Sequence, residues 1–193
     1  MKSYIKNSIS EGIALRNQLL QDESTLQELE AVGRLVGHAL LNGHKVLLCG
    51  NGGSAADAQH IAAEFVGRFV TERRGLPAIA LTTDTSILTA VSNDYGYDRV
   101  FERQVEALGS AGDLLIGLST SGNSANVERA LIQAKKQGMM TIALLGRDGG
   151  RCKALSDHSF IVPHQEAARI QELHITIGHI LCGIVDNLFQ ANR

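Results

Sequence analysis

Five short apolar runs narrow what this chain can fold into: "KVLLC" at 45–49, "AIAL" at 78–81, "DLLIGLS" at 113–119, "MTIALL" at 140–145 and "SFIVP" at 159–163. Their hydrophobicity is continuous instead of alternating, which fits strands covered on both faces. Gly, Pro, Ser, Thr or Asp bounds each run, and helix-like stretches separate most of them. The pattern predicts an α/β fold with a doubly wound, five-stranded parallel sheet flanked by helices. Ligands of such sheets bind beyond the carboxyl ends of the strands. Two additional N-terminal helices are expected near 2–20 and 24–42. The second starts at the capping, acidic Asp22, Glu23 and Ser24 and ends at Asn42-Gly43. Its Leu29, Val32, Val36 and Leu40 repeat at helical spacing, so one stripe must pack on something. A last helix is expected over about 166–189, after Pro163, carrying Ile170, Leu173, Ile177, Leu181 and Leu188.

At 193 residues and 44% hydrophobic, the chain can bury a full core as one domain. Its divisions are the N-terminal helices (1–43), the α/β core (44–165) and the C-terminal helix (166–193). Lys and Arg number 18 against 20 Asp and Glu, with no basic run, which argues against a nucleic-acid surface. No stretch reaches ~18 uninterrupted apolar residues, and the start lacks the apolar run of a signal peptide, so no membrane association is expected. Cys49, Cys152 and Cys182 are odd in number and far apart. They read as reduced thiols of a cytoplasmic protein.

The turns after the strands are unusual. After the third run, Ser119, Thr120, Ser121, Gly122, Asn123 and Ser124 precede a helix. Free backbone N–H groups at a helix start, with hydroxyls beside them, suit a phosphate without Lys or Arg. One helix cap would not need six such residues. After the first run, Gly50-Asn51-Gly52-Gly53-Ser54 lacks the GxGxxG spacing, and no acidic residue clearly ends the second strand, so a nucleotide cofactor is not expected. Close backbone approach to a small polar ligand is the better use of these glycines.

The helix that follows puts His60 and Glu64 one turn apart on one face. That spacing more often marks a surface pair than a metal site. Glu64, however, sits among Ala62, Ala63, Phe65 and Val66, and a carboxylate near a core needs a partner. In "RIQELHITIGHIL", His174 reads as a satisfied structural residue, whereas Gln171 and His179 stand about 12 Å apart along a helix. One metal would strain to meet both, which points to a site shared by two chains. Asp84 and Thr85 read as a helix cap. His38, His44 and His158 read as surface or structural, and Arg68 could meet a phosphate or a neighbouring subunit equally well.

"GNGGSAADAQHIAAEF", "ALTTDTSILTAVSNDYGYDRVF", "GLSTSGNSANV" and "RIQELHITIGHIL" together resemble the phosphoheptose isomerases of the sugar-isomerase (SIS) domain superfamily, over nearly the whole chain. The resemblance implies a homotetramer with active sites between subunits, and interconversion of sedoheptulose 7-phosphate and D-glycero-D-manno-heptose 7-phosphate. That reaction is the first step of ADP- or GDP-heptose supply for lipopolysaccharide core or related glycans. It implies zinc ligands at His60, Glu64, Gln171 and His179. It implies substrate contacts at Asn51, Gly52, Gly53, Glu64, Asn93, Asp94, Ser119, Thr120, Ser121, Ser124 and Gln171. Some members carry an acidic residue just before the "RIQE" stretch; Ala168 stands there, so no catalytic role carries over.

An aldose–ketose exchange removes a proton beside a carbonyl and returns it to the neighbouring carbon. Glu64 is assigned as the base on carbon and His179 as the acid on oxygen, with Zn²⁺ polarising the carbonyl. A different class also resembles this chain: a branch of the family that binds the replication initiator DnaA without known chemistry. The tail "DNLF" (186–189) is similar to that branch. It lacks ligands at the positions of Glu64 and His179, both present here, which favours the isomerase.

Overall fold

A computed structural model describes residues 1–191. Along the chain run helices α1 (Lys2–Gln21) and α2 (Glu23–Leu41), strand β1 (Val46–Gly50), α3 (Gly53–Val66), β2 (Ala78–Ala80) and α4 (Thr85–Tyr95). A 3₁₀ turn leads into α5 (Val100–Leu108), followed by β3 (Leu114–Ser119), α6 (Ala125–Lys136), β4 (Met140–Gly146), α7 (Gly150–Leu155), β5 (His158–Val162) and α8 (Ala167–Ala191). All strand pairs are parallel, in the order β2-β1-β3-β4-β5. The chain leaves β1 toward one edge and returns to extend the other, so the switch point lies between β1 and β3, where Leu47 pairs with Leu115.

The continuous apolar runs follow from the alternation of side chains along a strand. Val46, Leu48, Ile116, Ile142 and Leu144 face a layer made by α2, α3 and α8, with Val36, Leu40, Ile61, Phe65, Ile177 and Leu181. Leu47, Cys49, Leu115, Ala143 and Leu145 face the other way, onto Val100, Phe101, Val105, Val127 and Leu131 of α5 and α6. The first and third strands start one residue later than expected. Asp113 Oδ1 accepts the Lys45 N–H at 2.9 Å and Oδ2 holds Lys45 Nζ, so the two residues form a polar latch in front of the ladder. Burial raises the Asp113 pKa, but these bonds and the Ser110 N–H outweigh it and leave the carboxyl below its ordinary range.

Asp22 caps α2 by accepting from Thr25 N (3.1 Å), and Asp84 caps α4 by accepting from Ile87 N (2.9 Å), as the sequence indicates. The three cysteines are free and buried. His158 has a partner that sequence spacing could not reveal: its Nδ1 lies 2.6 Å from Glu28 on α2. No helix among the described residues is long and apolar enough to cross a membrane.

Candidate active site

Two loops meet at the switch point. Gly50 ends β1, and Gly52 turns with φ +57° to start α3. Beside it, Asn51 and Asn126 exchange amide hydrogen bonds: Asn51 Nδ2 donates at 2.9 Å and Asn126 Nδ2 donates back at 2.8 Å. Tyr97 adds its hydroxyl to Asn51 Oδ1 at 3.3 Å. This lock ties the β1 and β3 loops into one rigid edge. Asn126 and Tyr97 carry no sequence signal toward Asn51, because the fold alone joins them.

In the β3 loop, Ser124 occupies the N-cap position of α6, yet its side chain makes no capping bond. Its hydroxyl instead meets Ser119 Oγ at 2.9 Å, and Ser119 Oγ lies 3.4 Å from Ser121 Oγ. Asn126 Oδ1 takes the Val127 N–H at 3.0 Å, and no hydroxyl caps the first turn of α6, which starts beside three clustered hydroxyls. That arrangement favours an anion over a plain helix cap.

Helices α3 and α8 run in the same direction along one seam. A Cβ added to Gly53 would lie 2.5 Å from Gln171 Nε2, and one on Gly178 would lie 2.5 Å from Ile61 Cδ1. The missing side chains let the two backbones close up. At the far end of the seam, His60, Glu64 and His179 gather, each with one ligand atom within 4.8 Å of the others. His60 Nε2 faces His179 Nε2 at 2.9 Å and Glu64 Oε1 at 3.3 Å. Phe69 stacks on the His179 ring with 5.4 Å between centroids. Cys182 sits near the cluster, but burial, and then the charges of Glu64 and Asp186, push its thiol up to about 12, so it stays protonated.

These three residues come from a single chain, so a pair of subunits is not needed to assemble them. Gln171 sits apart, against Gly53 at the loop end, about 12 Å along α8 from His179. Asn93 and Asp94 lie exposed on the last turn of α4 and bond to each other at 2.8 Å. Arg68 is engaged within its own chain, with Glu72 at 3.6 Å.

Asp57 lies one turn before His60 on α3, and its Oδ2 is buried without a hydrogen-bond partner among the described residues. Burial raises its pKa, and the His60 charge partly opposes this. Its spacing to His60 was visible in the sequence, and its burial was not. His174 corrects an expectation. It is fully buried, but neither ring nitrogen has a hydrogen bond of ordinary geometry among the described residues. Burial holds its pKa down at about 4, against an opposing pull from the Leu145 backbone.

Arg73 and Asp186 fix the C-terminal end of α3. Arg73 Nε donates to Asp186 Oδ1 at 2.6 Å, and its Nη atoms donate to the carbonyls of Glu64 (2.8 Å) and Phe65 (2.9 Å). Asp186 Oδ2 accepts from Val70 N and Thr71 N, both at 2.9 Å. This buried clip holds the turn that carries Glu64 against α8.

Residues 11–146 match the family model of the SIS domain. The chain is 58% identical over 188 residues to the phosphoheptose isomerase of Aliarcobacter butzleri, covering 97% of this chain and 98% of that one. It is 50% identical over 193 residues to the phosphoheptose isomerase of Aneurinibacillus thermoaerophilus, covering 100% and 98%. Among solved structures, phosphoheptose isomerase GmhA from Neisseria gonorrhoeae superimposes with a TM-score of 0.90 at 46% identity, covering 96% of this chain and 98% of that one. The chain therefore belongs to the SIS domain family and, within it, to the phosphoheptose isomerases, which makes it an isomerase of phosphosugars.

Proposed function

We propose that the protein converts sedoheptulose 7-phosphate to D-glycero-D-manno-heptose 7-phosphate through an enediol, as the first step of ADP- or GDP-heptose biosynthesis in the cytoplasm. The observation that carries this reading is the gathering of His60, Glu64 and His179 on the seam that starts at the glycine loop. In this reading Ser119, Thr120, Ser121 and Ser124 take the phosphate. Asn51, Gly52, Gly53, Asn93, Asp94 and Gln171 contact the sugar.

Two imidazole nitrogens and one carboxylate oxygen are the donor set of a catalytic zinc that keeps an open position, so the residues fit Zn²⁺. When bound, zinc polarises a carbonyl and stabilises enediolate charge. Glu64 takes the proton from the carbon beside the carbonyl and returns it to the neighbouring carbon. His179 moves protons between the two oxygens. A carboxylate held by a metal through both oxygens is a poor base, so Glu64 must keep one oxygen free. In this reading Gln171 reaches the metal from a neighbouring subunit or serves the sugar alone.

A homotetramer with active sites between subunits accords with the exposed row of Ile5, Ile9 and Ile13 on α1, each more than half exposed. The test is a proton NMR time course of zinc-loaded protein with sedoheptulose 7-phosphate in deuterated water. An aldoheptose phosphate labelled at carbon 2 is expected, and Glu64→Gln should abolish it while phosphate binding persists. A folded, zinc-bound protein that forms no product would sink the assignment.

A further inference from the structure

β4 ends at Gly146, and the next residue turns with φ +60°, so Arg147 is the non-glycine residue with positive φ among those described. Glycine takes that conformation freely, and a long branched-headed side chain does not. Arg147 is exceptional in a second way. Every other described arginine pairs with a carboxylate or donates to a carbonyl, whereas the Arg147 guanidinium has no such partner among the described residues.

The turn that carries it is built into the wall of the hydroxyl loop. Cys152 N donates to Gly122 O at 2.9 Å and Arg151 N to Asn123 Oδ1 at 3.1 Å. A Cβ on Gly122 would collide with the Gly149 carbonyl, and one on Gly146 with the Thr120 carbonyl, so the two loops touch backbone to backbone. Between them opens a cleft of about 450 Å³ lined by Ser121, Asn123, Arg147, Asp148, Pro163 and Gln165. Asp148 lines the same cleft but forms no ion pair with the arginine among the described residues; its Oδ1 accepts the Gly150 N–H at 3.1 Å.

We propose that Arg147 is a cationic clamp on the phosphate of the substrate, closing on it from the β4 side while the β3 loop holds it from beneath. This rests on reading Ser119–Ser124 as the phosphate loop. Hydroxyls and backbone N–H groups satisfy phosphate oxygens but leave the dianion's charge uncompensated. A guanidinium supplies that charge and two parallel donors. The positive-φ turn then has a use: it sets the side chain over the cleft that adjoins Ser121.

The test is calorimetric titration of the full-length protein with inorganic phosphate at low salt. Arg147→Ala should weaken binding about tenfold or more, the loss of one charge-assisted contact, and Arg147→Lys should recover part of it. Arg147→Gly should weaken binding equally while keeping the melting temperature at or above wild type, because glycine accepts the turn without strain. With sugar phosphate, KM should rise by the same factor and kcat stay nearly unchanged, the signature of uniform binding. Phosphate affinity within about twofold of wild type in both the Ala and Gly variants would overturn the clamp. The loop reading fails separately, if wild type binds no phosphate or if Ser124→Ala binds it undiminished; either result removes the clamp as well.

Discussion

Replacing Arg73 with Met leaves a buried carboxylate facing an apolar chain of similar length. Both side chains of the Arg73–Asp186 pair are 2% exposed, so water cannot take over the lost role cheaply. Removing one partner of a buried ion pair costs about 3–5 kcal/mol. Asp186 Oδ2 keeps its two backbone donors, which places the loss toward the lower end of that range. The Glu64 carbonyl also loses its Arg73 donor, at about 1 kcal/mol, whereas the Phe65 carbonyl keeps Leu76 N at 3.0 Å. The sum is about 4 kcal/mol. Urea unfolding reads it as a midpoint lowered by roughly 1.5–3 M for a slope of about 1.5–2.5 kcal/mol per M. In the double variant Arg73→Met, Asp186→Leu, the stranded charge is gone, so the total should fall below the sum of the two single losses. A single-variant loss under about 1 kcal/mol, or strict additivity, would refute the reasoning. The pair also has a pH signature. Burial raises the Asp186 pKa, but Thr71 N, Val70 N and Arg73 outweigh it, so the folded value lies below 3.8. The pair's contribution is thus complete at neutral pH and is lost only as pH falls below 3.8 through the folded value.

Two other tests probe the seam and its neighbour. Gly178→Ala should gain about 1 kcal/mol of helix propensity and lose about 1–3 to overpacking against Ile61; by shifting His179 it should weaken zinc binding about tenfold in a chelator competition, and unchanged affinity would show that the seam does not set the cluster. Between pH 6.5 and 4 the unfolded His174 binds a proton that the folded one refuses, so stability should fall with pH across that window by up to about 3 kcal/mol. A His174→Met variant should lack that part of the slope in urea midpoints, and an identical slope would count against the buried, neutral imidazole.

The strands were legible because each run is buried on both faces, and hydrophobicity alone then marks it. Their order was not, since β2 at the edge and β5 beyond β4 depend on which pairings bury most surface. His60 and Glu64 were legible as one helical face, and the spacing within α8 showed Gln171 too far from His179 for easy sharing. What spacing could not give was the partner of each half: His179 meets His60, and Gln171 meets Gly53, only because α3 and α8 pack in parallel. Asn126, Arg73 and Asp186 escaped for the same reason. Their partners lie 75, 8 to 9 and more than 100 residues away and are ordinary residues until the fold joins them.

The parallel pairing of α3 with α8 also sets when the site can exist. Glu64 and His60 precede His179 in the chain, and His179 arrives 115 residues after Glu64, on α8. Until α8 docks across α3, the chain holds only two ligands and a weak grip on any ion. A metal that favours the three-ligand state therefore rewards that docking, by about 2.7 kcal/mol when its free concentration is a hundred times its dissociation constant. With such a metal present, docking of α8, consolidation of the sheet face beneath it and capture of the ion would become one cooperative step.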